Sequence, residues 1–439
     1  MCKEYQGSLI PLVTHNLPEL RFSQRRNWAS EQAIGFLIQQ AVENPEVVSL
    51  AAGLVDPELL PVAETRAALD KLLADEQRAK QMLQYGTIMG AEFLREQLID
   101  HLAHIEKRSR DDLNIDINRI VLTTGSQQLL SLVGEVLFNP GDICLVAAPT
   151  YFVFLSTLNG LGACTISVET DDGGMQPEAL ESKLEQLEAE GELDRVKLIY
   201  LVSYYDNPSG LSLSEERRSA IVEIVQRWSK RNQIVILEDA AYRELRYDGP
   251  TFSSVWSFDE SQETVILGQT FSKSFSPGLR VGFGVVPSQL VKPICDRKGN
   301  EDFGSANFNQ HLIATVLEQG LYQPHVEHIL NSYRAKRDCM LDAVDKYFSG
   351  LTGVRWVHPH GGLYVWMTLP ENVDTGFDGP LFNHATKVQN VMYVPGDLCY
   401  AIDPPQRPRN HLRLSFGVQT LEGIELGVQR LSNAVHSII

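Results

Sequence analysis

The central part of the chain alternates between short apolar runs and longer amphipathic segments. Most of the apolar runs contain Val, Ile and Leu without polar alternation, as in strands that are covered on both faces. The predicted strands are Arg119–Thr123, Ile143–Ala147, Cys164–Val168, Val196–Val202, Ile234–Leu237, Thr264–Leu267 and Val281–Val286. Helices are predicted between several of them, at Gln127–Phe138, Pro177–Ala189 and Ser214–Lys230. The pattern predicts an α/β fold with a large, mostly parallel sheet covered by helices on both faces, and the short link between the last two strands favours one antiparallel strand.

The pattern changes on both sides of this region. Residues 1–30 are expected to be irregular, and Ser30 is expected to cap a helix over Glu31–Glu43. The other expected elements before the sheet are a strand at Val47–Leu50 and helices at Ala63–Ala79 and Ala91–Lys107. Those after it are helices at Asn309–Glu318, His325–Phe348, Leu381–Gln389 and Leu421–Ser437, and strands at Val354–Val357, Leu363–Thr368, Met392–Val394 and Leu412–Phe416.

These elements predict two domains. Residues 51–310 form the large domain, residues 311–439 form a smaller α+β domain, and residues 1–50 join the smaller one.

Composition excludes several classes of protein. The 439 residues are 43% hydrophobic and 21% charged, with a formal net charge of −18 that opposes a general affinity for nucleic acid or anionic lipid. No apolar run could span a bilayer and no apolar signal core begins the sequence, so we expect a cytoplasmic protein that does not bind membranes. The six cysteines are scattered without zinc-ligand spacing, and we expect no metal site and buried, unreactive thiols.

One lysine follows the predicted strand Thr264–Leu267. Lys273 stands between two serines, Ser272 and Ser274, and Arg280 follows seven residues later. An amine in this position can form a Schiff base, and hydroxyl groups with an arginine can bind a phosphate. By itself the segment favours a solvated surface lysine, because most lysines are exposed. The other motifs decide between the two interpretations.

The turn Thr123–Gln128 ends a strand and begins a helix. Its backbone N–H groups and the helix dipole suit a phosphate, with Ser126 as the expected N-cap. An ordinary Gly-Ser helix start explains the turn equally well. Neither Gly-x-x-x-x-Gly-Lys nor Gly-x-Gly-x-x-Gly occurs at a suitable place, which argues against ATP and NAD.

Further polar and aromatic residues follow the predicted strands. Asp239, Asn207 and Tyr151 each come shortly after one, and the carboxyl ends of parallel strands meet where ligands bind in such sheets. Asn207 also fits a simple Asn-Pro turn, and Tyr151 also fits core packing. Gly53, in a small-residue turn, either lets the backbone approach a ligand or serves the turn alone.

Arg413 lies in an apolar strand. Arginine is rarely placed among residues such as Leu412 and Leu414 without a partner, and a carboxylate bound through two hydrogen bonds is the natural one.

Together, these motifs resemble the class I/II aminotransferases of pyridoxal phosphate fold type I, over roughly residues 30–435. The motifs are Tyr85-Gly86, Gly125-Ser126-Gln127, Asn207-Pro208-Ser209-Gly210, Asp239-Ala240-Ala241-Tyr242, Ser272-Lys273, Arg280 and Leu412-Arg413-Leu414-Ser415-Phe416. The runs Ser276–Arg280, His360–Trp366 and Val394–Gly396 look most like the kynurenine/2-aminoadipate aminotransferase branch. Ser209 replaces the usual Thr, and Ala240-Ala241 replaces a common aromatic or Pro, which leaves the local pocket wall undefined.

The resemblance implies a role for each residue. Lys273 would form the Schiff base with pyridoxal 5'-phosphate and then act as the base, and Asp239 would keep the ring nitrogen protonated. Tyr242 and Asn207 would hydrogen-bond the ring oxygen, and Tyr151 would stack on the ring. The phosphate would be bound by Ser126, Gln127, Ser272 and Arg280. The substrate carboxylate would be bound by Arg413, Asn207 and the Gly53 backbone.

The resemblance also implies a homodimer with shared active sites, because Tyr85 resembles the family tyrosine that reaches the neighbouring subunit's phosphate. The expected reaction is ping-pong transfer of an amino group from an L-amino acid to a 2-oxo acid, with 2-oxoglutarate as the expected acceptor. The choice of donor would depend on residues such as Leu54, Tyr364 and the segment Arg21–Trp28, and the sequence does not define it.

Two alternatives differ in function. A lyase on the same fold would carry out β-elimination, decarboxylation or cyclisation from the same carbanion, and the residues barely distinguish it. A non-catalytic ligand sensor is disfavoured because the first 50 residues are too short for a winged-helix DNA-binding domain and the chain is acidic.

Overall fold

The computed structural model describes residues 20–28, 33–44, 46–401 and 407–439 of the protein. The strands in this part of the chain are β1 (Val48–Ser49), β2 (Ile120–Thr123), β3 (Ile143–Ala148), β4 (Cys164–Asp171), β5 (Gly174–Met175), β6 (Val196–Val202), β7 (Val235–Asp239), β8 (Val265–Thr270), β9 (Gly282–Val285), β10 (Arg355–Trp356), β11 (Tyr364–Thr368), β12 (Val391–Met392), β13 (Val394–Pro395) and β14 (His411–Ser415).

The α-helices in the same residues lie before, between and after these strands. They are α1 (Gln24–Trp28), α2 (Ala33–Glu43), α3 (Val62–Ala74), α4 (Glu76–Met82), α5 (Glu92–Glu106), α6 (Arg110–Leu113), α7 (Ser126–Leu137), α8 (Phe152–Gly160), α9 (Pro177–Ala189), α10 (Glu215–Trp228), α11 (Ser288–Asp302), α12 (Asn307–Glu318), α13 (Tyr322–Phe348), α14 (Pro380–Lys387) and α15 (Leu421–His436).

Eight strands of the described residues form the large sheet, in the order β2-β9-β8-β7-β6-β3-β4-β5. The strands from β4 through β3, β6 and β7 to β8 are parallel neighbours. β9 runs antiparallel to both β8 and β2, as the short link before it predicts. Every residue of β2, β7 and β8 is buried, which explains their continuous apolar sequence and confirms the predicted α/β class.

A smaller sheet holds the C-terminal strands in the order β10-β11-β14-β13, all antiparallel. β1, near the start of the described chain, pairs in parallel with β12. This pairing supports the proposal that residues 1–50 join the smaller domain. The three predicted segments of the chain otherwise remain a prediction.

Two predictions near the N-terminus are wrong. The single helix expected over Ala63–Ala79 is two helices, α3 and α4, because the Asp75 side chain accepts hydrogen bonds from the backbone of Gln77 and Arg78 and starts a new helix. A short helix, α1, occupies part of the segment expected to be irregular. The predicted cap at Ser30 lies outside the described residues.

Three further helices, α6, α8 and α11, were not predicted, and one predicted strand is divided. α8 is apolar almost all round and gives no amphipathic signal, and α11 contains an interior proline, Pro293. The strand expected over Met392–Val394 separates into β12 and β13, which pair in different sheets. The pairing partners of a strand lie in distant parts of the chain, so this division cannot be predicted from the local sequence.

Two predictions from the composition concern the burial of the cysteines and the absence of a membrane-spanning segment. Cys144 and Cys399 are buried, but Cys164 is exposed at the start of β4, so the expectation of uniformly buried thiols is wrong. Among the described residues, no helix is both long enough and apolar enough to cross a membrane. The cytoplasmic location remains a prediction.

A buried carboxylate fixes the end of β7. Glu238 accepts hydrogen bonds from Ser203 Oγ at 2.7 Å and from the backbone N–H groups of Val255 and Trp256, both at 2.9 Å. The guanidinium of Arg218, also buried, lies 3.6 Å away. These contacts hold the strand end that carries the next residue, Asp239.

We expect Glu238→Gln to lower the free energy of unfolding by about 3 kcal/mol, because it removes the buried negative charge beside Arg218 and turns an amide NH₂ toward backbone donors. Urea denaturation measures the change. The exposed Glu260→Gln is the matched control and should change stability by less than about 0.5 kcal/mol. Equal stability of the two variants would contradict this account of β7.

Candidate active site

A cavity of about 480 Å³ opens at the carboxyl ends of β6, β7 and β8. Its wall also includes the start of α7, the turn after β1, and residues of β11 and β14. Eleven of the predicted site residues line it: Gly53, Ser126, Gln127, Tyr151, Asn207, Asp239, Tyr242, Ser272, Lys273, Arg280 and Arg413. Tyr85 does not.

Lys273 lies three residues beyond the end of β8. Its Nζ atom donates a hydrogen bond to the Gly53 carbonyl oxygen at 2.8 Å and lies 5.9 Å from the centre of the Tyr242 ring. Burial lowers the pKa of the Lys273 amine, the cations Arg413 and Arg280 lower it further, and Tyr364 opposes the shift. A larger fraction of the amine is therefore neutral near pH 7 than for a solvated lysine, as a nucleophile or base requires.

The first turn of α7 forms one wall of an anion site. The predicted N-cap at Ser126 is wrong: Gly125 is the N-cap, with a φ of 72°, and Ser126 is the first helical residue. Gly125 has no room for a side chain, because a β-carbon there would collide with the Arg280 guanidinium. Gly282 is equally restricted, since its β-carbon would lie 2.6 Å from Ser126 N. The helix N-terminus is therefore kept open to a ligand.

Arg280 and two hydroxyl groups form the opposite wall of this anion site. Arg280 Nη1 donates to Ser272 Oγ at 3.2 Å, and Nη2 donates to the Thr124 carbonyl at 3.1 Å. Ser272 Oγ in turn lies 2.9 Å from Thr270 Oγ1. A guanidinium, hydroxyl groups and free helix N–H groups around one space are the donor set that a phosphate requires.

Asp239, the last residue of β7, supplies a buried carboxylate. Its Oδ2 accepts a hydrogen bond from Tyr200 at 3.1 Å, and its Oδ1 accepts one from Ala241 N at 3.2 Å. Burial raises the pKa of Asp239 to about 6, although the Tyr200 hydrogen bond opposes the shift. A cation placed beside this carboxylate would stabilise its charged form. Above it, Tyr151 donates a weak hydrogen bond to Gln127 Oε1 at 3.4 Å.

Arg413 brings a positive charge into the cavity from β14. Its side chain is 3% exposed. Nη1 donates to Asn207 Oδ1 and Nη2 to the Ala51 carbonyl, both at 2.7 Å. Its Nε is buried without a hydrogen-bond partner, and no described residue forms an ion pair with the guanidinium. A buried cation with an unused N–H group fits a ligand carboxylate.

Tyr242 and Tyr364 meet beside this arginine. Their hydroxyl oxygens are 2.9 Å apart, and burial raises the pKa of Tyr242 well above its ordinary value. From the sequence, Tyr364 is expected only to affect the choice of amino donor, and its contact with Tyr242 is not predicted.

Several lining residues were missed. Leu37, Leu130, Phe152, Val202, Thr270, Pro277 and Met392 line the cavity. Thr270 contributes a hydroxyl group to the anion site, and the others are apolar and give no sequence signal of a ligand. Asp206, which precedes Asn207, was not singled out from the sequence either; it does not line this cavity, but it is buried, and burial raises its pKa to about 7.

The donor set fits pyridoxal phosphate. The cavity is lined by an anion site, a buried carboxylate and an amine of lowered pKa, together with Tyr151, Tyr242 and Arg413. The close packing at Gly125 and Gly282 keeps the anion site free of side chains.

Known proteins share both the sequence pattern and the fold. Residues 45–431 match the family model "Aminotransferase class I and II". An aromatic-amino-acid aminotransferase of Thermococcus litoralis is 34% identical over 412 residues, which cover 92% of this chain and 93% of that protein.

Two solved structures are similar over nearly the whole chain. A kynurenine aminotransferase of Pyrococcus horikoshii is 32% identical with a TM-score of 0.85, covering 95% of this chain and 97% of that one. An α-aminoadipate aminotransferase of Thermus thermophilus, complexed with N-(5'-phosphopyridoxyl)-L-leucine, is 29% identical with a TM-score of 0.81 and the same coverage. The chain therefore belongs to the class I and II aminotransferases and is a pyridoxal phosphate-dependent enzyme that acts on amino acids.

Proposed function

We propose that the enzyme moves the amino group of an L-amino acid with an aromatic or apolar side chain to 2-oxoglutarate, by a ping-pong mechanism. One observation carries the proposal: the buried guanidinium of Arg413, with an unpaired Nε, faces the same cavity as the Lys273 amine. A carboxylate on Arg413 would bring the neighbouring carbon of an amino acid within the reach of this amine.

The chain's own residues would hold the cofactor at three places. Ser126, Gln127, Ser272 and Arg280 would bind its phosphate, Asp239 would pair with its ring nitrogen, and Tyr151 would cover its ring. Tyr242 and Asn207 would donate hydrogen bonds to its ring oxygen. Pyridoxal phosphate, when bound, supplies an aldehyde that takes up the amino group and a ring that withdraws electron density.

Lys273 would hold and move the proton of the reaction at its Nζ atom. Its lowered pKa favours the neutral amine that can accept a proton from the substrate carbon. The Gly53 carbonyl, 2.8 Å from Nζ, would orient this amine. Arg413 and Asn207 would bind the substrate carboxylate beside it, so that the carbon and the base face each other.

The rest of the cavity favours an uncharged side chain on the donor. Of the described residues that line the cavity, only Lys273, Arg280 and Arg413 are cationic, and each already has a role. The remaining wall includes Leu37, Leu54, Phe152 and Met392. The relatives named for aromatic amino acids and kynurenine support the same class of donor. Arg21, Arg25 and Arg26, in the segment expected to affect donor choice, are exposed and do not line the cavity.

2-Oxoglutarate is proposed as the acceptor because the similar α-aminoadipate aminotransferase is named for an amino acid with a second carboxylate. In this chain that carboxylate would lie at the cavity mouth near the exposed Leu54, where water can solvate it. Reversibility then requires glutamate to act as a donor too, with a higher KM than an aromatic amino acid.

We also propose a homodimer with shared active sites. Tyr85 is 85% exposed and lies outside its own chain's cavity. It belongs to a stretch with other exposed apolar side chains: Leu60, Val62, Leu73, Leu83, Ile88 and Phe93. Exposed apolar side chains of this kind are frequent on surfaces that another subunit covers, so they support the proposed dimer.

The absorption spectrum of the holoenzyme should change when single amino acids are added without an oxo acid. We expect phenylalanine and kynurenine to convert the bound cofactor to its amino form, with kcat/KM at least about tenfold higher than for glutamate, because the wall is apolar. 2-Oxoglutarate should restore the original band, and Lys273→Ala should show no conversion. Release of ammonia or carbon dioxide would indicate a lyase instead.

Asp239→Asn should lower kcat by roughly 10²- to 10³-fold, because a neutral amide does not stabilise a positive charge on the ring nitrogen. The phosphate contacts are unchanged, so affinity for pyridoxal phosphate should fall by less than about tenfold. Stopped-flow absorbance and equilibrium titration measure the two quantities. Asp172→Asn, an exposed aspartate, is the control. A kcat within twofold of wild type would exclude this role for Asp239.

Mixing two inactive variants tests the shared site. In a mixed dimer of Tyr85→Ala and Lys273→Ala chains, one site has an intact Lys273 from the first chain and an intact Tyr85 from the second. After refolding or subunit exchange, an equal mixture should recover about a quarter of wild-type activity, since half of the dimers are mixed and each has one intact site. Sedimentation velocity verifies the dimer. No recovery from a mixture shown to contain mixed dimers would place Tyr85 outside the shared site.

A further inference from the structure

We infer that Tyr364 is a positioning residue that links the carboxylate-binding Arg413 to the hydroxyl group of Tyr242. The inference rests on the proposed roles of those two residues. It assigns to Tyr364 a part in the reaction itself, in addition to any effect on the choice of amino donor.

The register of the smaller sheet places Tyr364 beside Arg413. In the antiparallel pair β11–β14, Tyr364 is opposite Ser415, and Trp366 is opposite Arg413. Residues two positions apart on one strand point to the same face, so Tyr364 and Arg413 are diagonal neighbours. The Arg413 guanidinium carbon lies 4.3 Å from the centre of the Tyr364 ring.

The ring of Tyr364 restricts how a carboxylate can reach Arg413. The guanidinium carbon lies over the Tyr364 ring, which occupies that side of the guanidinium, and Asn207 and Ala51 occupy one N–H on each Nη atom. The unpaired Nε remains available along the guanidinium edge. A carboxylate would therefore bind in the guanidinium plane, the orientation that allows two hydrogen bonds.

The hydroxyl group of Tyr364 reaches the other side of the site. It lies 2.9 Å from the Tyr242 hydroxyl, with the two rings at 77° to each other. Within the described part of the chain, each hydroxyl is the only hydrogen-bond partner of the other. Both side chains are buried, so the pair is shielded from competing water.

Gly53 fixes the position of this hydroxyl. A β-carbon on Gly53 would lie 2.6 Å from the Tyr364 hydroxyl oxygen, closer than two such atoms can approach. Only glycine lets the phenol pass between the backbone of residue 53 and Tyr242. The same glycine accepts the hydrogen bond from Lys273. The Tyr364 side chain thus lies against Arg413, Tyr242 and the backbone of Gly53.

The direction of the hydrogen bond follows from the proton count. A phenol has one proton, so Tyr242 can donate to the cofactor's ring oxygen only if Tyr364 donates to Tyr242. Burial keeps Tyr242 protonated, because it raises the pKa of that hydroxyl. A donor that itself accepts a hydrogen bond becomes a stronger donor. Tyr364 would therefore strengthen the hydrogen bond from Tyr242 to the cofactor.

Two variants separate the hydroxyl from the ring. Tyr364→Phe keeps the ring over Arg413 and removes the hydroxyl, whereas Tyr364→Leu removes both. Tyr204→Phe is the matched control, because Tyr204 is buried outside the cavity and donates to the Phe252 carbonyl at 3.2 Å. Circular dichroism melting verifies that each variant is folded.

The first measurement is the pH titration of the visible absorption of the holoenzyme without substrate. In Tyr364→Phe the midpoint should rise by about 0.3 to 0.5 pH unit, because a weaker hydrogen bond from Tyr242 stabilises the deprotonated chromophore less. Tyr204→Phe should leave the midpoint unchanged. An unchanged or lowered midpoint in Tyr364→Phe would overturn the link to Tyr242.

The second measurement is the Kd of 3-phenylpropionate, a carboxylate without an amino group, measured from its effect on the same band. Tyr364→Phe should bind it within twofold of wild type, and Tyr364→Leu at least about fivefold more weakly, because only the latter uncovers the guanidinium face. Equal affinity in the two variants would overturn the link to Arg413. Neither measurement requires turnover. If both gave the contradicting result while the wild-type enzyme still transferred amino groups, the role of Tyr364 would be rejected and the proposed function would stand.

Discussion

The hydrogen bond between Arg413 and Asn207 joins the two largest sheets in the described part of the chain. Asn207 follows β6 of the large sheet, Arg413 lies on β14 of the smaller one, and the same guanidinium holds the Ala51 carbonyl of the N-terminal turn. A charge buried without these partners would cost several kcal/mol, so the three segments must stay together for the arginine to be tolerated. The cavity exists because they meet there.

The large sheet positions the other polar groups of the cavity. Five parallel neighbours end at the same edge, and Asn207, Asp239 and Lys273 follow three successive strands in that sheet, β6, β7 and β8. β9 then returns antiparallel and brings Gly282 against the first turn of α7, which closes the anion site. Each of these polar groups thus lies at or just after the end of a buried strand, and packing in the core fixes the position of that strand. The site therefore needs little further ordering when a ligand binds.

Burial shifts the pKa values of two groups in the cavity in opposite directions. Burial lowers the pKa of the Lys273 amine and raises that of the Asp239 carboxyl, so each is closer to neutrality than in water. Either shift would be removed by an opposite charge at the right place. The enzyme therefore holds groups whose charge depends on what binds beside them, which is the property expected of an amino-group transferase that alternates between two cofactor forms.

The apolar runs predicted most of the strands of the large sheet, because buried parallel strands require runs of Val, Ile and Leu. The motifs and the family that they resemble predicted eleven of the residues that line the cavity. The sequence pattern missed α8 and α11, where an all-apolar face and an interior proline remove the amphipathic signal. Three features required the three-dimensional structure: Gly125 rather than Ser126 caps α7, the Tyr364 hydroxyl contacts that of Tyr242, and Arg413 keeps an unpaired Nε. These contacts join residues more than a hundred positions apart or depend on backbone angles, and neither is encoded in local periodicity.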